Sequence, residues 1–107
     1  MVDVETVREL ALAYPETEER DHFGRPSFRI RKKIFATLWP VEKRAVVKLT
    51  PVDQSIFCDY DRSTFYPATG AWGRQGYTVI NLRKVRKDMF KDALNLSWQL
   101  VAPKKLK

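Results

Sequence analysis

The run Phe65-Tyr66-Pro67-Ala68-Thr69-Gly70-Ala71-Trp72-Gly73-Arg74-Gln75-Gly76-Tyr77-Thr78-Val79-Ile80-Asn81-Leu82 holds three of the chain's four glycines, at every third position. It then passes into β-rich sequence at Tyr77–Leu82. Glycine allows positive φ and close backbone approach, so this is a shaped loop that leads into a strand. Its Gly-x-x-Gly-x-x-Gly spacing differs from the dinucleotide fingerprint and precedes a strand rather than a helix. No Gly-Lys-Ser/Thr follows, so it is not a phosphate-binding P-loop either. Trp72 and Arg74 project from it as a pair suited to stacking and to anion binding.

Downstream, Arg83 to Lys87 is a basic connector into a last helix that ends at Pro103. At 100° per residue, Met89, Phe90, Ala93, Leu94, Leu96, Ser97, Trp98, Leu100 and Val101 cover about a 200° arc, so this helix lies deep against a sheet. Trp98 and Lys91 are expected at its boundary. Upstream, Thr50-Pro51-Val52-Asp53 has a hydroxyl at the N-cap, proline at the first position and a carboxylate at the third. The short helix it starts runs to about Asp59 and is expected to bury Ile56 and Phe57.

Before that lie three β-like runs. Ser27–Arg31 and Ile34–Trp39 meet at Lys32-Lys33, and Ala45–Leu49 follows the turn at Pro40–Arg44. Phe28 and Ile30 alternate with Arg29 and Arg31, as in a half-buried strand. Lys32-Lys33 is a poor tight turn, because type I′ needs φ > 0 at both central positions. At the start, Asp3 caps a helix that Pro15 ends, with Val7, Leu10, Ala11 and Tyr14 on one apolar stripe. Thr17–Arg20 reads as a polar connector, and Asp21–Phe28 as a turn-rich lead-in. The order α-β-β-β-α-β-α with short links predicts an α+β fold: an antiparallel sheet of about four or more strands packed by N- and C-terminal helices.

The chain has 107 residues, 44% hydrophobic and 31% charged, and is read as one domain over residues 1–107. Its net charge of +7 is unevenly distributed. Residues 1–20 net −4, residues 21–50 net +6, residues 51–80 net −1 and residues 81–107 net +6. Two basic blocks therefore flank a neutral middle. Cys58 is the only cysteine, which rules out an intrachain disulfide or a cysteine zinc site and fits a reducing compartment. The acidic start Met1-Val2-Asp3-Val4-Glu5 is unlike a signal peptide, no apolar run is long enough to span a membrane, and a cytoplasmic protein is expected.

Taken together, several landmarks resemble the MmcQ/YjbR family. They are Ala11-Leu12 with Pro15 and Glu16; Pro26-Ser27-Phe28-Arg29-Ile30 with Lys33-Ile34-Phe35-Ala36; Lys48-Leu49-Thr50-Pro51; Gly73-Arg74-Gln75-Gly76-Tyr77; and Ser97-Trp98-Gln99-Leu100-Val101-Ala102-Pro103-Lys104. The resemblance covers nearly the whole chain. It implies a frataxin/CyaY-like fold and a DNA-binding role with a "double-wing" motif, and it carries no catalytic residues. Two positions depart from the pattern. Tyr77 stands where tryptophan is common, and Lys32 stands where glycine is common.

Phosphates need cations, and single strands need flat side chains for stacking. With Phe28 and Ile30 facing inward, Arg29 and Arg31 face out, and Lys32 and Lys33 sit at the hairpin tip. Lys48 and Arg83 extend that surface, with Trp72 and Arg74 as a stacking point. These eight residues form the expected nucleic-acid site for DNA or RNA, bound weakly and with little sequence preference. No recognition helix is evident, and a monomer without cofactor is expected.

The same cations also suit an edge strand protected from aggregation, or an acidic protein partner. A frataxin-like metal role would rest on Glu5, Glu9, Glu16, Glu18 and Glu19. His22 beside Asp21 has no third group at a recognisable spacing, and Ser27 and Ser97 lie outside any nucleophile-elbow context. Cys58 reads as a semi-buried thiol. No enzyme is expected.

Overall fold

In the computed structural model, which describes residues 1–106, the Asp3 carboxylate accepts the Thr6 N–H at 2.7 Å and opens α1 (Val4–Leu12). Val7 and Ala11 of α1 are buried, with Leu10 and Tyr14 packed beside them. The chain then makes four consecutive strands: β1 (Thr17–His22), β2 (Arg25–Ile30), β3 (Lys33–Trp39) and β4 (Arg44–Lys48). After them come α2 (Pro51–Tyr60), β5 (Phe65–Pro67), α3 (Ala71–Arg74), β6 (Tyr77–Asn81) and α4 (Lys87–Val101), with a 3-10 turn at Lys104–Leu106. The six strands form one antiparallel sheet in the order β1-β2-β3-β4-β6-β5. The fold is α+β, as the order of periodic segments predicts, with more elements than the sequence reveals.

Thr17–Arg20 is not a connector. It belongs to edge strand β1, which pairs with β2 along its whole length. The run Thr-Glu-Glu-Arg-Asp-His has no apolar alternation because most of it stays exposed. Its place is fixed by the ladder to β2 and by Glu19, which binds the Arg8 Nε of α1 at 2.8 Å. The glycine stretch likewise contains more structure than a loop, supplying β5 and the single turn of α3.

The β2–β3 turn falls one residue earlier than expected. Ile30 pairs with Lys33, so the two loop residues are Arg31 and Lys32, with φ of 49° and 72°. The positive φ at both positions that type I′ geometry demands is met here by two non-glycine residues.

Helix phasing departs from expectation at two places. In α2 the buried residues are Phe57 and Cys58, whereas Ile56 is exposed. In α4, Trp98 is buried and stacks on Tyr14 at 5.3 Å, so it is not a boundary residue, while Leu100 is exposed.

The core joins the helices to one face of the sheet, through Phe28, Ile30, Leu38, Ala45, Val47, Phe65 and Ile80. Strand alternation sends the intervening residues to the opposite face. On that face Val46 and Val79 are buried, yet they lie outside the core cluster.

Candidate nucleic-acid interface

The strand registers order this second face into rows. Arg20, Ser27, Thr37, Val46, Val79 and Tyr66 are cross-strand partners in sequence and form the middle row. On one side of it Trp39 pairs with Arg44 and Arg44 with Asn81, and Arg25 joins them from β2. On the other side lie Arg29 and, farther across the sheet, the pair Lys48–Tyr77. Ser27, Thr37, Val46 and Val79 thus put short residues along the centre of the face, between Arg20 and Tyr66, with cations and aromatics on both flanks.

Three cation–aromatic contacts mark the flanks. The Arg25 guanidinium lies 4.2 Å from the centre of the Trp39 ring. Arg44 lies 5.8 Å from the Tyr66 ring, and the Lys48 ammonium 5.6 Å from the Tyr77 ring. Each contact holds a flexible cation against a rigid plane. Arg29 reaches across to Ser27, its Nε donating to Oγ at 3.0 Å, while the Ser27 hydroxyl donates to the Arg20 carbonyl at 2.8 Å. These bonds satisfy the buried hydroxyl and lay the guanidinium along the face.

The charge is only partly neutralised. Arg20 pairs with Glu18 at 3.1 Å and Arg25 with Glu42 at 2.9 Å. Among the described residues, Arg29, Arg44 and Lys48 make no ion pair. Glu18, the cross-strand partner of Arg29, is the only carboxylate of these rows among the described residues.

The residues expected from sequence divide into groups. Arg29 and Lys48 lie on the open face. Lys32 and Lys33 are exposed at the β2–β3 end of the sheet, and Lys33, Lys48 and Tyr77 share a surface pocket of about 350 Å³ with Ile34, Leu100 and Val101. Arg31 is at the same tip, but Glu16 accepts its guanidinium at 3.3 Å. Trp72 is 59% exposed and packs on Tyr77 with ring centres 5.1 Å apart, which ties α3 to the rim of the face. Arg74 is exposed at the end of α3. Arg83 falls elsewhere. It follows Asn81, the partner of Arg44, and so sits at the end of the sheet opposite Lys33 and Tyr77.

Arg25, Trp39, Arg44, Tyr66 and Tyr77 are absent from the sequence-based site. For Arg25, Arg44 and Tyr77 the signal is the period-2 spacing Arg25-x-Ser27-x-Arg29, Arg44-x-Val46-x-Lys48 and Tyr77-x-Val79-x-Asn81. Only the register shows that these three sets share a face.

The other candidate chemistries do not assemble. Alternation puts Glu18 and Glu19 on opposite faces, each with an arginine partner, and Glu16 turns away to Arg31. No group of three potential metal ligands occurs among the described residues. The Asp21 carboxylate accepts the Gly24 N–H at 3.2 Å, while the His22 ring packs edge-on against Phe23. Burial, with a smaller contribution from Asp59, pushes the Cys58 thiol pKa up, away from the reactive thiolate. None of the helices among the described residues is long and apolar enough to cross a membrane.

A six-stranded antiparallel sheet with helices packed on one face places the chain among α+β proteins. The YjbR family model matches residues 12–100, and the chain belongs to that family. The fold is similar to the crystal structure of Deinococcus radiodurans protein DR2400, which carries the domain DUF419. The TM-score is 0.86 at 16% identity, covering 100% of this chain and 83% of the other. At that identity the likeness concerns the fold alone. No curated protein matches the sequence.

Proposed function

We propose that this YjbR protein is a non-enzymatic nucleic-acid-binding module that engages phosphates through the open face of its sheet. The observation that carries the reading is the alignment of Arg25, Arg29, Arg44 and Lys48 on one face beside Trp39, Tyr66 and Tyr77. Cations spaced along a helix-free surface neutralise a phosphate chain and release its counterions, which gives affinity without sequence reading. Lys32 and Lys33 extend the field at one end of the sheet. The net charge of +7 adds long-range attraction for a polyanion.

The test is fluorescence anisotropy with labelled DNA and RNA over a range of salt concentrations. Log K should fall linearly with log salt, and Arg44→Glu with Lys48→Glu should weaken binding and flatten the slope by about 1.4 for a single strand, from about 0.7 per lost phosphate contact. An acidic protein partner is the competing reading. It would be favoured if no oligonucleotide bound even at low salt.

A further inference from the structure

The geometry points to single-stranded nucleic acid as the ligand of the open face, with bases stacked on its aromatic side chains. This inference rests on the nucleic-acid reading above and narrows it. Proteins that read duplex DNA through the major groove insert a helix or a two-stranded ribbon into a groove about 12 Å wide. Here six strands spaced about 4.8 Å apart make a face about 24 Å across, too broad to enter that groove. The long helix α4 is unavailable as a probe, because Phe90, Ala93, Leu94, Ser97 and Trp98 are all buried.

The face instead matches what a separated strand requires. Arg44 and Lys48 are four residues apart on β4, so the two flanking rows stand about 13 Å apart. Between them lie the short side chains of Thr37, Val46 and Val79, with both valines buried. This row runs across the strands from Ser27 to Tyr66. Bases with both faces free can lie against flat side chains held in place, whereas bases inside a duplex stack offer no face to them. Tyr66 and Tyr77 are anchored in the ladder, and Trp72 extends the aromatic surface from Tyr77 beyond the sheet. Phosphates would follow the cationic flanks while bases meet the rings.

The experiment compares a labelled 12-nucleotide thymidine oligomer with a duplex of equal length in moderate salt, using the parent protein, Tyr66→Leu with Tyr77→Leu, and Arg44→Glu with Lys48→Glu. Leucine keeps an apolar side chain at each position while removing the ring. The inference expects at least about 10-fold preference for the single strand and at least about 10-fold loss in the leucine variant with its salt slope unchanged, since stacking contributes roughly 5- to 150-fold per base. Quenching of tryptophan emission in the parent protein by the single strand, and not by the duplex, gives a readout that needs no variant. Equal affinity for duplex and single strand, with the leucine variant binding like the parent and only the charge variant failing, would overturn stacking and leave phosphate binding intact. No binding of either form at low salt would overturn both.

Discussion

The Ser97 hydroxyl of α4 donates to the Phe35 carbonyl of β3 at 2.5 Å, and the same oxygen accepts the Lys48 N–H of β4 at 3.1 Å. Phe35 is the extra residue of a β-bulge, because Phe28 pairs with Ala36 and Arg29 with Ile34. The β3–β4 ladder ends at Ala36–Val47, so the next groups on each strand have no mutual partner. Ser97 fills that gap and fixes the helix over the point where the strands part. The bond therefore also positions Lys48 at the edge of the open face.

Replacing Ser97 by alanine strands a buried carbonyl and a backbone N–H. Each unsatisfied group costs about 1–3 kcal/mol, so Ser97→Ala should lose about 2–4 kcal/mol in urea unfolding. A change below 0.5 kcal/mol, on the scale of an ordinary surface substitution, would mean that the bridge contributes little.

The glycines differ in what surrounds them. A Cβ on Gly76 would meet the Leu49 carbonyl oxygen at 1.8 Å, at φ +100°, and one on Gly73 would meet the Ala68 oxygen at 2.1 Å. Both neighbours are backbone and cannot swing away. Gly76→Ala and Gly73→Ala should each destabilise by about 3 kcal/mol or more, among the larger effects of single substitutions. Gly24, at φ +84° with open space around it, should cost about 1–2 kcal/mol for the backbone conformation alone. Thermal unfolding of the three variants gives the ranking. Equal losses for Gly24→Ala and Gly76→Ala would show that conformation, and not close approach, governs Gly76.

The Arg31–Lys32 turn holds two side-chain-bearing residues at positive φ. Lys32→Gly relieves one of them and should raise stability by about 0.5–1 kcal/mol, net of glycine's greater freedom in the unfolded chain. If denaturant midpoints fall for this variant, the lysine must be making contacts that outweigh its backbone strain.

Asp61 accepts hydrogen bonds from the Ser63 and Thr64 hydroxyls and from the Ser63 N–H, which together lower its pKa from 3.8 to about 2. A carboxylate with a depressed folded-state pKa stabilises the fold at pH values above its unfolded pKa, and that stabilisation fades as pH falls through the folded value. The Asp61 contribution should therefore decline between about pH 4 and pH 2. Asp61→Asn should be less stable than the parent at pH 6, and the difference should narrow over that interval. A constant difference down to pH 2 would exclude the carboxylate as its source.

The sequence by itself determined the elements whose signals are local. Thr50-Pro51 starts α2 because a hydroxyl cap and a proline act within one turn, and the wide apolar arc of α4 commits it to a core wherever that core lies. Phe28 and Ile30 alternate with Arg29, so one inward face of β2 was legible as well. Tertiary structure decided the rest. The charged run of β1 is a strand because β2 offers it a ladder, which no property of Thr17–His22 announces. Insertion of β6 between β4 and β5 brings Tyr77 beside Lys48 and Tyr66 near Arg44, residues far apart in the chain. Alternation tells which side of its own strand a residue occupies. Which strands share a face, and in what register, depends on pairing between segments distant in sequence, and the candidate interface exists only at that level.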